Sequence, residues 1–332
     1  VADQSSHTDL LSIVVPFYNE EEMIGRFFRE VCSVMETVPN SRFEIVCVND
    51  GSRDATLPLL LKQAAHDSRI RVVDLSRNFG KEAALTAGLD HAIGDAVIPF
   101  DADLQDPPGA IPDLVSKWRE GYDVVLAMRA ERTTDSYAKR NSASMFYRVH
   151  NAISELLIPE NAGDFRLMSR STVDALKQLR ETRRFMKGLF AWVGGKTATI
   201  EYVRQPRAAG ASKFSGWKLW NFALEGVTSF STLPLRVWTY IGGVTALLAI
   251  LYAAYLIVRT VVHGIDVPGY ASIITAILFL GGMQLIGIGV IGEYVGRMYV
   301  ESKRRPIYIV RNFYTGGETP EAFSINEKYK SK

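Results

Sequence analysis

"VIPFDADLQDP", residues 97–107, sets an apolar run with the look of a buried strand directly against Asp101, Asp103, Gln105 and Asp106. A carboxylate at the end of such a run is costly unless water or a positive group meets it. Either the strand emerges into solvent there, or the cluster awaits a cation. Asp101 and Asp103 flank one alanine, so in an extended chain their carboxylates point roughly the same way. Hard oxygen ligands at that spacing suit Mg²⁺ or Mn²⁺, which bind one or two carboxylates and complete their shell with phosphate oxygens. A bare Asp-x-Asp is frequent, so the surrounding pattern has to decide.

That pattern is an alternation. "LLSIVVPFY" (10–18), "FEIVCVND" (43–50), "IRVVDLS" (70–76), "AVIPFD" (96–101) and "DVVLAM" (123–128) are short, β-branched and apolar throughout, as strands covered on both faces are. Helical segments separate them: Glu20 to Met35, Ala55 to Ala65, Lys81 to Ala92 and Ile111 to Glu120. Strand–helix alternation predicts an α/β fold with a mostly parallel sheet. Ligands of such sheets bind outside the carboxyl ends of the strands. "YNE", "NDGS", "DADLQD" and "MRAER" all fall at such ends. One polar cluster is an ordinary turn; four together read as a site.

The chain of 332 residues is 47% hydrophobic and 22% charged, ample for its own core, and its net charge of +2 names no partner and gives no sign of nucleic acid binding. The distribution is more telling. Residues 237–258 and 267–292 are uncharged, and each exceeds the roughly 20 apolar residues that cross a bilayer. With only a short stretch ending in "HGID" (263–266) between Arg259 and the second run, the pair is expected to form a transmembrane hairpin. Lys213, Lys218 and Arg236 precede it, and Arg297, Lys303, Arg304 and Arg305 follow. The excess of positive charge on both outer flanks puts both termini in the cytoplasm of a multi-pass protein of the plasma membrane. The polar start "VADQSSHTD" lacks the apolar stretch of a signal peptide. Cys32 and Cys47 have no Cys-x-x-Cys spacing and read as reduced core thiols, and the five scattered histidines give no zinc site.

Four parts are expected: a nucleotide-binding core (1–130), an acceptor-side, membrane-interfacial segment (131–235), the helix hairpin (236–296) and a cytosolic tail (297–332), polar from about 313. In the second part, residues 142–157 carry Met145, Phe146, Val149, Ile153, Leu156 and Leu157 at helical spacing. Residues 212–230 place Trp217, Trp220, Leu224 and Val227 beside lysines, as in a helix lying among lipid headgroups. "GIGVIG" (287–292) satisfies Gly-x-Gly-x-x-Gly but has no strand before it, so its glycines, with the Gly292 and Gly296 pair, read as helix packing.

"SIVVPFYNEEE", "VNDGSRDAT", "RNFGKEAALTAGLDHAIGD" and "DADLQDPP" resemble the catalytic domain of the inverting family-two glycosyltransferases, which have a GT-A fold. "GDFRLMSR", "FMKGLFAWVGGKT", "SKFSGWKLWNFALEGVTSFS" and "GEYVGRMYVESKRRPIY" are similar to the polyisoprenyl-phosphate, or bactoprenol, glucosyltransferases of bacteria and their phages. The resemblance covers about residues 10–312. It implies transfer of a sugar, glucose first, from a UDP-sugar to a membrane polyprenyl phosphate, with inversion, for periplasmic glycosylation such as O-antigen modification.

It also implies roles. Pro16, Tyr18, Glu20, Asp50, Asp101 and Ala102 would line the nucleotide pocket, Asp50 at the uracil. Asp101, Asp103 and Gln105 would hold Mg²⁺ or Mn²⁺. Asp164 and Arg166 of "GDFR" stand with Asp103 as the catalytic set, Asp164 where the family has its candidate acid/base. Arg129, Arg140, Ser144 and Lys213 would face the acceptor phosphate or donor diphosphate. A homo-oligomer, a tetramer by family, is the implied assembly. The second strand ends "VND" where many relatives have "IDD", which bears on the Asp50 assignment.

The chemistry is consistent with this. The departing diphosphate carries negative charge that a divalent cation stabilises as it develops. The acceptor is a phosphate already ionised near neutral pH, so Asp164 has less need to act as a base, and Arg and Lys are needed to bring two anions together. Two rivals remain: the same fold with a mannose or amino-arabinose donor, and a nucleotide-binding membrane scaffold without turnover.

Overall fold

The structure is a computed structural model, and it describes residues 8–129, 162–179, 181–182, 184, 186–202, 233–263 and 269–317. Its described residues fall into two compact units, residues 233–305 forming one and the remainder the other.

The larger unit is built on one eight-stranded sheet. Its strands are β1 (Asp9–Phe17), β2 (Ser41–Asn49), β3 (Ile70–Leu75), β4 (Ala96–Pro99), β5 (Val124–Arg129), β6 (Ala162–Ser169), β7 (Thr197–Tyr202) and β8 (Val310–Tyr314), in the order β7-β5-β6-β4-β1-β2-β3-β8. β1 pairs in parallel with β2 and β4, β2 with β3, and β5 with β7. β6 and β8 run the other way. Helices α1 (Ile24–Met35), α2 (Thr56–His66), α3 (Lys81–His91) and α4 (Ile111–Arg119) make the expected crossovers, and α5 (Arg170–Gln178) and α6 (Met186–Val193) follow β6. The α/β class and the mostly parallel sheet are as the alternation predicts.

The central strands are apolar throughout because both faces are covered: Leu11, Ile13, Val14, Val15, Ile45, Val46, Cys47 and Val48 are wholly buried. On one face aromatic rings link the layers. Phe27 of α1 meets Phe17 edge-on at 5.5 Å, Phe100 lies 5.2 Å from Phe165, and Phe165 lies 5.8 Å from Tyr202. Each such pair contributes about 0.5–1.5 kcal/mol beyond its buried area. Asp106 is fixed in the same region, accepting the Tyr202 hydroxyl's hydrogen bond. Burial raises both cysteine thiols, and neither cysteine is in a disulfide, in keeping with inert core thiols.

The C-terminal part departs from expectation. The stretch expected as a tail (297–332) contains β8, which closes the sheet by pairing antiparallel with β3, Val73 opposite Phe313. Phe313 stacks on His91 at 5.2 Å, and Tyr308 donates to Asp90 Oδ2 at 2.7 Å. A five-residue, half-exposed edge strand leaves little apolar periodicity to read.

The second unit consists of α7 (Leu233–His263) and α8 (Tyr270–Ser302). Trp238 lies against Gly287 and Thr245 against Met283, so position climbs along one helix as it falls along the other, and the two run antiparallel. A Cβ on Gly287 would stand 1.7 Å from Trp238 Nε1. The packing reading of "GIGVIG" therefore holds at Gly287, whereas Gly289, Gly292 and Gly296 face open space. Among the described residues one segment, Phe279–Ser302, has the length and mean hydropathy (1.3) of a span, with a shorter apolar stretch at Val237–Tyr252. A single such window leaves the two-span hairpin a proposal.

Candidate active site

The polar strand ends converge as the topology requires. β1, β2, β3 and β4 deliver their carboxyl ends to one edge of the sheet, and antiparallel β6 brings its beginning, Asp164, to the same edge. Loops after β1 and β2 are laced together: Asn19 Oδ1 accepts from Arg53 N at 2.9 Å, Glu21 Oε2 from Ala55 N at 2.8 Å, and Glu20 N donates to Thr56 Oγ1 at 2.9 Å. Tyr18, 45% exposed above this seam, offers an aromatic face. Pro16 is within β1, opposite Val48.

Asp50 is placed differently from a free base-binding carboxylate. It is buried, and its two oxygens accept from Phe79 N at 2.7 Å and Gly80 N at 2.9 Å, tying the loop after β2 to the loop after β3. Burial raises its carboxyl, with those two N–H groups and Arg77 opposing. Gly51 beside it has φ +62°, and a Cβ there would stand 2.4 Å from the Arg77 carbonyl carbon, so only glycine fits. Asn49, the departure from the family pattern, donates to buried Asp74 at 2.7 Å and accepts from Ser52 N at 3.3 Å. Both residues of "ND" thus support the loops.

At the end of β4 the chain turns through Leu104, which has φ +52°. Gln105 N donates to Asp103 Oδ1 at 3.1 Å, and Ala102 and Gln105 are buried. Asp101 meets Lys81, the first residue of α3: Nζ lies 2.8 and 2.9 Å from its two oxygens and 2.9 Å from Asp164 Oδ2. Burial, then the charges of Asp164 and Asp103, raise the Asp101 carboxyl against Lys81. Burial works to lower the Lys81 ammonium, but Asp101 and Asp164 outweigh it and hold it above its usual value.

Two residues beyond Asp164, on the same face of β6, Arg166 is buried. Its guanidinium stacks on Phe190 at 4.1 Å, Nη2 donates to Gly163 O at 2.7 Å, and Nε has no hydrogen-bond partner among the described residues. Burial lowers it to about 10, with Asp164 opposing. Arg129 ends β5 opposite Tyr202 in the register with β7; its side chain is outside the described residues, as are Arg140, Ser144, Lys213 and the helical stretches 142–157 and 212–230.

Sequence reading missed Lys81. A lysine opening a helix reads as solvated, and only the sheet brings Asp164, 83 positions away, to it; "GKEAAL" after the third strand was the available signal. The arrangement fits a divalent cation of a particular kind. Among the described residues no three His, Cys, Asp or Glu side chains converge as a cage. Two neighbouring carboxylates with an amide nearby suit an ion that draws its other ligands from a diphosphate.

The chain belongs to glycosyl transferase family 2, which matches residues 12–177, and the description "GtrB C-terminal hairpin" matches residues 233–298. It is accordingly an enzyme that transfers glycosyl groups. It is 57% identical to the bactoprenol glucosyl transferase of Shigella phage SfV over 91% of this chain and 98% of the relative. It is 54% identical to a prophage bactoprenol glucosyl transferase homolog of Escherichia coli K12 over 91% and 98%, and 55% identical to an uncharacterized glycosyltransferase of Synechocystis over 92% and 95%. Among solved structures, glucosyl-3-phosphoglycerate synthase from Mycobacterium tuberculosis aligns over 66% of this chain and 78% of its own with a TM-score of 0.46 and 20% identity.

Proposed function

We propose that the protein transfers glucose from UDP-glucose to the phosphate of a membrane polyprenyl phosphate, with inversion at the anomeric carbon, making a lipid-linked sugar for periplasmic glycosylation. The observation that carries this is the similarity, above half identity and nearly end to end, to bactoprenol glucosyl transferases. A polar strand-end edge with a carboxylate pair supports it.

Asp101 and Asp103, with Gln105, would hold Mg²⁺ or Mn²⁺, which supplies positive charge to the departing diphosphate. Tyr18, Pro16, Glu20 and Ala102 border the nucleoside, while Asp50 holds the floor beneath it through Phe79 and Gly80. An acceptor phosphate oxygen forms a bond to the sugar's anomeric carbon as the bond to the diphosphate oxygen breaks, and UDP leaves. Asp164, fixed by Lys81, orients the acceptor or receives its residual proton. Arg166 backs that strand, and Arg129, Arg140, Ser144 and Lys213 supply the charge and hydrogen bonds that bring two anions together. UDP release from UDP-glucose should require polyprenyl phosphate. Preference for a GDP-sugar or another UDP-sugar would move the protein to a sister activity, and release indifferent to the lipid would remove the acceptor.

The same proposal makes α7 and α8 a hairpin through the bacterial inner membrane, with both termini cytoplasmic and a homo-oligomer, of four chains, as the assembly. A cysteine at Gly264 should react with impermeant thiol reagents in intact cells; reaction of a cysteine placed near Lys332 instead would invert the topology.

A further inference from the structure

Lys81 grips both oxygens of Asp101 and one of Asp164. It therefore places a positive charge on lone pairs that a cation at Asp101 needs. Ammonium and divalent cation compete for them, and as neighbours they repel. The contact is desolvated only in part: the Lys81 side chain is 45% exposed and Asp101 36%, so both can be reached from solvent at this edge of the sheet. The buried ion pair of Glu44 and Arg71 in this unit carries additional hydrogen bonds: Glu44 also accepts from Ser12 Oγ and Ile93 N.

We propose that Lys81 makes cation loading conditional on the donor: without nucleotide the ammonium occupies Asp101, and an arriving diphosphate offers it new oxygens and frees Asp101. Lys81 is then a positioning residue that keeps Asp164 aligned throughout. This rests on Asp101 and Asp103 being the cation's ligands.

Mn²⁺ binding followed by electron paramagnetic resonance on the full-length protein in detergent, with and without UDP, tests it. Wild type should bind Mn²⁺ weakly alone and at least about 10-fold more tightly with UDP, the size expected of a unit charge a few ångströms away. Lys81→Met should tighten Mn²⁺ binding without UDP by about 10-fold or more, shrink the UDP effect, and still lose transfer. Lys81→Arg, which keeps the charge, should restore the wild-type dependence. Should Lys81→Met not fold, Lys81→Gln carries the same expectation, with thermal melting as the check. Mn²⁺ affinity in the neutral variant equal to or below wild type, while wild type with UDP binds Mn²⁺ tightly, overturns this inference alone. Absence of Mn²⁺ binding by wild type with UDP overturns the cation reading and this inference together.

Discussion

The two edges of the sheet treat charge in opposite ways. At the amino ends of β1, β2 and β3 a shallow cleft of about 590 Å³ is lined by Glu36, Arg42, Glu44, Arg69 and Arg71. There Arg71 pairs with Glu44 at 2.9 Å, Arg69 with Asp67 at 2.7 Å, and Arg119 with Asp9 at 2.8 Å. Arg69 holds the Asp67 carboxyl below its usual range. At the carboxyl ends Asp101 is raised instead, by burial and by two neighbouring carboxylates. One edge has settled its charges within the fold; the other crowds carboxylates together, a cost that makes sense for a ligand bringing positive charge. The amino-end cleft, its charges already paired, is therefore not the candidate site.

Substitutions at the two edges should separate activity from stability. The largest effect belongs to the carboxyl edge: Asp103→Ala should lower transfer by at least about 100-fold with little change in melting temperature, since loss of a cation's several kcal/mol acts on the barrier. EDTA should do the same to the unaltered enzyme, and undiminished transfer by metal-free protein would break the comparison. Glu44→Ala at the other edge should cost about 3 kcal/mol of stability, because it strands Arg71 and the Ser12 and Ile93 donors, while kcat/KM of the folded fraction stays unchanged. A fall in kcat/KM would give the amino edge a functional role. The smallest effect concerns pH. Burial chiefly holds the His91 imidazole below its usual value, with Arg71 and Lys177 adding and Asp90 and the Ala87 carbonyl opposing. The unfolded chain then takes the proton first, so His91's contribution is intact above its ordinary value near 6.5 and is lost as pH falls below it. Melting temperature should drop between pH 7.5 and 5.5, and His91→Gln should flatten that slope; an unchanged slope would place the titration elsewhere.

Legibility followed burial. β1 to β5 could be read because strands covered on both faces are continuous apolar runs, and the helices between them carry their own period. β7, exposed at alternate positions, and β8, half exposed, lack that signal, and β6 lies in a stretch where the alternation breaks. In the candidate site, the placement of Asp101 and Asp103 after β4 could be read from the strand end, and Asp164 was singled out by the family motif, their roles being proposals. Lys81 could not be read, because its role exists only once antiparallel β6 is laid beside β4. Asp50 was read as a contact to the base; the structure shows in addition a tie that the sequence did not reveal, from its two oxygens to Phe79 N and Gly80 N of the next loop.

The closing strand has a consequence for biosynthesis. β8 leaves the ribosome after both long helices, yet it covers the edge of β3, a strand made some 235 residues earlier, as the Ser76–Arg311 hydrogen bond measures. Until then β3 presents open N–H and C=O groups that another chain could pair with. The nascent catalytic layer thus stays unfinished and vulnerable to misassociation while α7 and α8 are being made. A chain cut short between Gln178 and Pro306 keeps every carboxylate of the candidate site and lacks the strand that covers β3. Completion of the sheet reports that synthesis has passed both long helices.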